Sequence, residues 1–402
     1  MPSQLPDGVP LPADGTLPAD AIADVGTNPF SLYLHVPFCR TRCGYCDFNT
    51  YTASELRGMS TSSYVTAALQ EIELAARVLG DGVPAASTVF FGGGTPTMLP
   101  AADLALLLGA IRDCFSLVAD AEVTTEANPD SVDQAYLETL RSAGFTRVSL
   151  GMQSVVPHVL RVLERTHTPG RALEAAHWAR GAGFEHISLD LIYGTPGESL
   201  DDWRSSLEAV ASTPVDHVSA YSLIVEPGTR LAMQVRRGDV PMPDDDALAD
   251  KYLMAEEYLT GIGFSNYETS NWARGVSGRC RHNLAYWTGA NWWGIGPGAH
   301  SHIGGFRFWN RKHPRSWSAE LDQGRSPAQA GEHLTAQERR TERVLLELRL
   351  AEGLPLEVLT PSERVRVRGV VHDGLGEVVA DRLVLTLPGR LLADGVVRDL
   401  LD

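Results

Sequence analysis

The stretch that decides the fold runs from Tyr33 to Phe48 and reads YLHVPFCRTRCGYCDF. It begins as an apolar strand and then places Cys39, Cys43 and Cys46 in the loop that follows. Thiolates hold iron–sulfur clusters, and a four-iron cluster with three protein ligands keeps one iron open. The stretch therefore predicts a [4Fe–4S] cluster on these cysteines, at the carboxyl end of a strand, where barrel active sites lie.

The spacing C-x3-C-x2-C resembles the signature of radical-SAM proteins. An open iron can chelate the amino and carboxylate groups of S-adenosylmethionine (SAM), and an electron from the reduced cluster can then release a 5′-deoxyadenosyl radical. The alternative is a zinc site with His35 as fourth ligand, although zinc motifs usually pair two C-x2-C knuckles and this sequence has one. A disulfide is a weaker alternative, because cytosolic thiols are reduced.

Short apolar runs alternate with helical patterns from Ser31 onward, which predicts repeated βα units and a parallel sheet. The predicted strands are Ser31–Val36, Thr88–Phe91, Glu122–Thr125, Arg147–Gly151, His186–Tyr193 and His217–Val225. The helices predicted between them are Ser62–Leu79, Ala102–Phe115, Val132–Ala143, Ala172–Ala182 and Ser199–Ala211. Six units without a clear seventh favour an α/β fold built on a partial (β/α)6 barrel. A flat doubly wound sheet is the competing architecture.

Four regions are expected in the 402-residue chain. Residues 1–28, rich in Pro, Ala, Asp and Gly, are predicted to be a disordered arm. Residues 29–235 would form the barrel, and residues 236–329, which include a Gly- and Trp-rich segment, would extend it. Residues 330–402 are predicted to form a small helical, winged accessory domain.

The net charge of −16 disfavours a dedicated nucleic-acid binder, because neutralising phosphates requires a dense Lys/Arg face. It also disfavours an anionic membrane surface. The first 39 residues contain no Lys or Arg, so neither a secretory signal nor a transit peptide is predicted. The longest apolar runs fall well short of the ~18 residues that a membrane span needs. We therefore expect a cytoplasmic protein.

Polar or glycine residues end the successive predicted strands. The second strand runs into Gly93, Gly94 and Thr95, and later strands end at Glu126, Gln153 and Asp190, with Arg165 following the fourth unit. Such residues are often turns or structural caps when they occur singly. Because the carboxyl ends of barrel strands converge, their recurrence predicts a pocket for a charged, ribose-bearing ligand.

Over residues 30–400 the chain resembles the oxygen-independent coproporphyrinogen dehydrogenase-like branch of radical-SAM proteins, and within it the heme chaperones. The resemblance implies a [4Fe–4S] cluster, SAM and heme as cofactors. It also implies a SAM pocket, in which Gln153 and Asp190 would bind the ribose and Tyr45 would lie near the adenine. The implied SAM-binding residues are Tyr33, Tyr45, Gly93, Gly94, Thr95, Glu126, Gln153, Arg165, Asp190 and Ile224.

Two features of the resemblance separate chaperones from the dehydrogenase. The dehydrogenase has a further cysteine two positions after the third one, where this chain has Phe48. The chaperones carry His-Asn-x-x-Tyr-Trp, and the matching residues, called the heme motif below, are His282, Asn283, Tyr286 and Trp287. Histidine is a common axial ligand of heme iron, and aromatic rings suit a porphyrin face. Cys280 is expected to be a spectator, and His300 a minor candidate ligand.

The resemblance therefore implies a heme chaperone that passes heme to an unidentified acceptor protein. The alternative is an oxygen-independent coproporphyrinogen III dehydrogenase of porphyrin biosynthesis. A radical-SAM enzyme acting on another substrate is a weaker hypothesis. A ferredoxin or flavodoxin would supply electrons if SAM is cleaved, and a homodimer is expected from the resemblance. No catalytic residue is assigned.

Overall fold

The computed structural model describes residues 7–56 and 59–401. Its first helix, α1 (Ala19–Asp24), belongs to the predicted disordered arm, but residues 7–28 are packed against the protein. Leu17, Ala21 and Val25, spaced four residues apart, are buried in the main core. Val9 forms a two-way backbone bridge with Gly331, with N···O distances of 2.9 Å. The apolar spacing explains why this segment is ordered and not a disordered arm, because it places these three side chains on one face, towards the core. Residues 1–6 of the predicted arm lie outside the described residues.

The barrel strands lie side by side in chain order and are parallel. They are β1 (Phe30–Val36), β2 (Ala86–Gly93), β3 (Leu117–Ala127), β4 (Arg147–Gln153), β5 (His186–Tyr193) and β6 (His217–Ser222). Because βα crossovers are right-handed, sequential order places all crossover helices on one face of the sheet. This order confirms the partial (β/α)6 barrel over the doubly wound sheet, in which the strand order reverses.

Helices of the crossovers bury apolar faces against these strands. They are α2 (Thr61–Leu79), α3 (Ala101–Phe115), α4 (Gln134–Ala143), α5 (Pro157–Val162), α6 (Arg171–Gly181) and α7 (Leu200–Ala211). Ser60 and Ser199 each precede a helix as part of a capping box. In each box the serine side chain and the side chain three residues later accept a hydrogen bond from each other's backbone N–H.

The sheet continues beyond the six barrel strands. Next along the chain come α8 (Arg230–Arg237), α9 (Asp245–Gly261), β7 (Ser265–Glu268), β8 (Asn271–Ala273), α10 (Arg281–Trp287), β9 (Asn291–Ile295), β10 (His300–Ile303), β11 (Phe306–Asn310), α11 (Pro314–Leu321) and β12 (Ala328–His333). The strand order is β12-β11-β10-β9-β1-β2-β3-β4-β5-β6-β8-β7. Strand β9, from the Trp-rich segment, pairs parallel with β1 and was not predicted as a strand. The main sheet therefore reaches His333, three residues past the predicted boundary at 330.

The last part of the chain has its own small core. It contains α12 (Ala336–Glu347), β13 (Leu354–Pro355), α13 (Pro361–His372), β14 (Gly376–Val379), β15 (Arg382–Leu385), α14 (Leu387–Leu391) and α15 (Ala393–Leu401). Strands β13, β15 and β14 form an antiparallel sheet, and Val344, Leu383 and Leu400 are buried together beneath it. Helices combined with a β-hairpin form the small helical, winged unit that was predicted for the end of the chain. Among the described residues, no helix has the length and apolarity required to span a bilayer.

Candidate functional site

A cavity of about 1110 Å³ opens at the carboxyl ends of the barrel strands. Its wall includes the three clustered cysteines and Asn283 of the heme motif. Nine of the ten predicted SAM residues also line it: Tyr45, Gly93, Gly94, Thr95, Glu126, Gln153, Arg165, Asp190 and Ile224. Tyr33 is outside the lining, and its hydroxyl lies 3.1 Å from His35 Nδ1 behind the wall.

The cysteine loop is held from several sides. Cys39 N–H donates to the carbonyl of Tyr51 at 3.0 Å, and Cys46 N–H donates to the carbonyl of Cys43 at 3.2 Å. Arg165 Nη1 donates to Cys43 Sγ at 3.5 Å. Burial raises the pKa of Cys39, and it raises the pKa of Cys46 to about 11. These thiols would therefore ionise on binding a metal, whose positive charge stabilises the thiolates.

The donor set fits a multi-iron cluster better than a single ion. Ligands of a cubane cluster bind different irons, so they need only surround a common space, as these thiols do around the cavity. His35, the alternative zinc ligand, has Nε2 against the carbonyl of Asn49 at 2.9 Å and Nδ1 against Tyr33. Both ring nitrogens are engaged, which disfavours the zinc site.

The Gly93–Gly94–Thr95 turn lies tightly against the cysteine loop. Gly93 has φ +108°, and a Cβ there would lie 2.5 Å from His35 Nδ1. A Cβ on Gly94 would lie 2.6 Å from the carbonyl oxygen of Phe38. Backbone N–H groups of Gly94 and Thr95 donate to the carbonyls of Val36 and Phe38 at 2.8 and 2.7 Å. Glycine is therefore required here for close backbone approach as well as for the positive φ.

Two carboxyl groups face the cavity from β3 and β5, the strands on either side of β4. Glu126 accepts a hydrogen bond from Gly93 N–H at 3.1 Å, and Asp190 accepts one from Ser149 Oγ at 2.7 Å. Burial, reinforced by Asp190, raises the pKa of Glu126 to about 8. Burial also raises the pKa of Asp190 to about 6. Such carboxyls suit a ligand that brings hydrogen-bond donors or a positive charge into the cavity.

Gln153 and Arg165 complete this part of the wall. Gln153 has φ +64°, a left-handed conformation that costs a non-glycine residue about 1 kcal/mol or more and is common at ligand sites. Arg165 Nη2 donates to the carbonyl of Gly151 at 2.7 Å. Its Nε is buried and has no hydrogen-bond partner among the described residues. Gly93, Glu126, Gln153, Arg165 and Asp190 are called the strand-end ring below.

Comparisons with known proteins agree with this geometry. The Radical SAM superfamily model matches residues 33–210. Over 380 residues the chain is 54% identical to the Mycobacterium tuberculosis H37Rv protein named heme chaperone HemW, covering 94% of this chain and 97% of that one. The Bacillus subtilis heme chaperone HemW is 32% identical, covering 91% and 97%. This chain belongs to the HemW family.

A solved structure supports the fold over nearly the whole chain. Escherichia coli coproporphyrinogen III oxidase (HemN), titled a radical SAM enzyme, superposes with a TM-score of 0.80 at 26% identity, covering 94% of this chain and 92% of that one. The chain is thus a HemN-like radical-SAM protein within the HemW family. Membership of the superfamily implies a [4Fe–4S] cluster and SAM.

The heme motif lies on α10, against the outside of the cavity wall. His282 is 1% exposed, with Nδ1 2.7 Å from Thr88 Oγ1 and Nε2 3.0 Å from the hydroxyl of Tyr286. Its ring stacks on Phe90 at 4.9 Å, and burial lowers its pKa to about 4. Trp287 hydrogen-bonds Glu268. Both imidazole nitrogens of His282 already have partners, one of which a heme iron would have to displace.

A buried carboxylate fixes the start of α10. Glu122 accepts hydrogen bonds from Arg147 Nε at 3.2 Å, from the N–H groups of Arg281 and His282 at 3.0 Å each, and from Cys280 Sγ at 3.5 Å. The attraction of Arg147 and these backbone donors lowers the pKa of Glu122 although burial opposes it. Glu122, Arg147, Cys280, Arg281 and His282 are called the Glu122 hub below. The sequence pattern gave no sign of this hub.

The structure also gives the surroundings of Cys280 and His300, and two cavity residues were not predicted. Cys280, the expected spectator, lines the cavity but is 3% exposed and bound to Glu122. His300 stacks on Trp309 at 5.8 Å, and burial lowers its pKa to about 4. Met98 and Tyr221 line the cavity and were not predicted as site residues. The available signal was that Met98 lies in the loop after β2 and Tyr221 lies near the end of β6.

Proposed function

We propose that this chain is a heme chaperone, which binds heme and transfers it to an acceptor protein, and which carries a [4Fe–4S] cluster and SAM. The observation that carries the proposal is the 54% identity, over nearly the full length of both chains, with a protein named heme chaperone HemW. Identity at this level over the barrel, the extension and the accessory domain favours a shared activity as well as a shared fold.

In this proposal Cys39, Cys43 and Cys46 hold the cluster. When bound, SAM would supply free amino and carboxylate groups as ligands for the cluster and a sulfonium that is open to reductive cleavage. The backbone of Gly93–Thr95, with Glu126 and Arg165, would hold the methionine part. Support comes from the close approach that the glycines allow and from the charged groups of the strand-end ring.

The nucleoside part of SAM would lie further along the same wall. Gln153 and Asp190 would bind the ribose hydroxyls, with Tyr45 near the adenine and Ile224 as an apolar contact. All four residues line the cavity. Tyr33, predicted as a direct contact, would act from behind the wall through His35, to which its hydroxyl is hydrogen-bonded.

Oxidative decarboxylation of coproporphyrinogen III is the second candidate function. The TM-score of 0.80 with Escherichia coli coproporphyrinogen III oxidase favours it. Phe48, at the position where the resemblance predicts a further cysteine in the dehydrogenase, opposes it. A ferredoxin or flavodoxin donor, a homodimer and a cytoplasmic location remain part of the proposal, and the acceptor protein is unidentified.

The test uses anaerobically purified full-length protein with measured iron and sulfide. Heme is titrated and followed by its Soret band, and the loaded protein is then mixed with an apo-hemoprotein to measure transfer. We expect saturable binding and transfer. The same preparation is given coproporphyrinogen III, SAM and a reductant. Protoporphyrinogen formation without heme transfer would reject the chaperone and establish the second candidate.

A further inference from the structure

Four large apolar side chains stand exposed around the mouth of the cavity. Phe48 in the cysteine loop is 50% exposed, and Met98, in the turn after β2, is 38% exposed. Tyr221 and Ile224, at the end of β6, are 44% and 64% exposed. All four line the cavity, although they come from three segments far apart in the sequence. They are called the cavity rim below.

The cavity rim offers more exposed apolar surface than the binding of SAM requires. Single exposed apolar residues are normal on a protein surface, whereas several around one opening indicate a ligand or partner with apolar surface. SAM is charged, and its predicted contacts are mostly the polar groups of the strand-end ring. A further, more apolar occupant fits this arrangement of exposed side chains.

We propose that the cavity rim is the docking platform for the tetrapyrrole ring of heme. This inference rests on the proposed function and adds the location of the bound heme. Phe48 and Tyr221 offer aromatic faces to a flat macrocycle, and Met98 adds apolar contact. Arg40 lines the same mouth, is exposed, and has no ion pair or hydrogen bond within the described residues. Its guanidinium suits a heme propionate.

The heme motif then has an indirect role. Within it, only Asn283 lines the cavity. His282 has both ring nitrogens engaged, and it stacks on Phe90, which does line the cavity. His282 is therefore a positioning residue, which fixes the wall behind the bound ligands. Heme at the rim requires no opening of α10.

The decisive variant is the double substitution Phe48→Ala with Met98→Ala, because neither residue is assigned to the cluster or to SAM. Its matched control is Val276→Ala with Leu392→Ala, two residues that are 76% and 56% exposed and lie outside the cavity. Full-length, reconstituted, SAM-loaded proteins are titrated with heme. We expect the dissociation constant of the rim variant to rise about tenfold, and that of the control to stay unchanged.

Cluster absorbance and SAM affinity of the rim variant report that its fold is intact. The single variant Phe48→Tyr is expected to keep most of the heme affinity of the wild-type protein, since it keeps the aromatic ring. Unchanged affinity in the rim variant, while the wild-type protein binds heme, would overturn the platform and leave the chaperone proposal standing. Absence of heme binding by the wild-type protein would overturn both.

Two further outcomes would overturn the platform alone. If the rim variant binds heme normally but transfers it slowly, the cavity rim contacts the acceptor protein and not heme. If His282→Ala, with its cluster and SAM affinity intact, loses heme affinity and shifts the Soret band, His282 is the axial ligand. We expect His282→Ala to keep the Soret position, because the imidazole acts through Phe90.

Discussion

The strand-end ring and the Glu122 hub are both polar regions of one barrel, but they use their hydrogen bonds differently. In the hub, the carboxylate of Glu122 accepts from Arg147, Cys280, Arg281 and His282. In the ring, the carboxyl group of Glu126 accepts from Gly93 N–H at 3.1 Å. Each region also keeps one buried arginine nitrogen without a partner in the described part of the chain, Nε of Arg165 and Nη1 of Arg147, so the carboxyl groups carry the contrast. Satisfied groups stabilise a structure, whereas groups left for a ligand remain available to it. The comparison therefore separates a structural brace from a ligand site.

The largest expected effect tests the ligand site, which comprises the strand-end ring and the neighbouring cysteines. Cys43→Ser should abolish the [4Fe–4S] cluster, because serine cannot supply a thiolate and only two clustered cysteines would remain. Iron and sulfide analysis after anaerobic reconstitution measures this, and SAM affinity should fall with it. Cys114→Ser, on α3 and outside the cavity, is the matched control and should retain the full iron content. A normal cluster in Cys43→Ser would remove that residue from the ligand set.

The next largest effect tests the hub as a brace. Glu122→Ala leaves the buried charge of Arg147 without its carboxylate, so the free energy of unfolding should fall by about 3–5 kcal/mol. The Asp120–Arg281 ion pair nearby has side chains that are 82% and 41% exposed, so Asp120→Ala should cost less than about 1 kcal/mol. Urea unfolding measures both. Equal losses in the two variants would contradict the assignment of the hub to stability.

A smaller effect concerns the turn against the cysteine loop. Gly93→Ala places a Cβ 2.5 Å from His35 Nδ1 at a φ of +108°, which costs about 1–3 kcal/mol. We expect the affinity for SAM to fall about tenfold, measured by equilibrium binding to the reconstituted protein. Gly109→Ala, inside α3 with no atom near the added Cβ, should leave SAM affinity unchanged. Wild-type affinity in Gly93→Ala would show that this turn can move.

The smallest predicted effect is a pH dependence. In the folded protein the pKa of Glu126 rises from 4.5 to about 8, so between these values the folded state binds more protons than the unfolded state. The stability that this group contributes is therefore fully present below pH 4.5 and is lost as the pH rises towards 8. Glu126→Gln should flatten the fall in unfolding free energy over that range, as measured by urea titrations at pH steps.

Glu138→Gln is the matched control for this prediction, because Glu138 is exposed on α4. It should leave the pH profile of the wild-type protein unchanged. A profile for Glu126→Gln that parallels the wild type would show that Glu126 is not a buried protonated carboxyl. The contrast with Glu122, whose pKa is lowered by Arg147 and by backbone donors, would then lose its electrostatic basis.

Local pattern predicted most of the barrel. The six strands fall on the predicted runs because a parallel strand buried on both faces leaves a continuous apolar segment. Strand β9 was missed, since Asn291–Ile295 lies in a segment dense in Trp and Gly, and the 7-residue helix α10 before it is too short to show a clear helical period. Its partner β1 lies more than 250 residues earlier in the chain, and no local signal reports such a pairing.

The sequence by itself determined the cysteine spacing, the βα alternation and the polar strand ends, because each depends on residues close together in the chain. Tertiary structure alone decided that Thr88, 194 positions from His282, engages its imidazole. It also decided that Phe48, Met98 and Tyr221 share one opening. Burial and hydrogen-bond partners arise from chain segments that meet only on folding. The same histidine can therefore be a ligand or a brace, and the partners that it finds decide between the two roles.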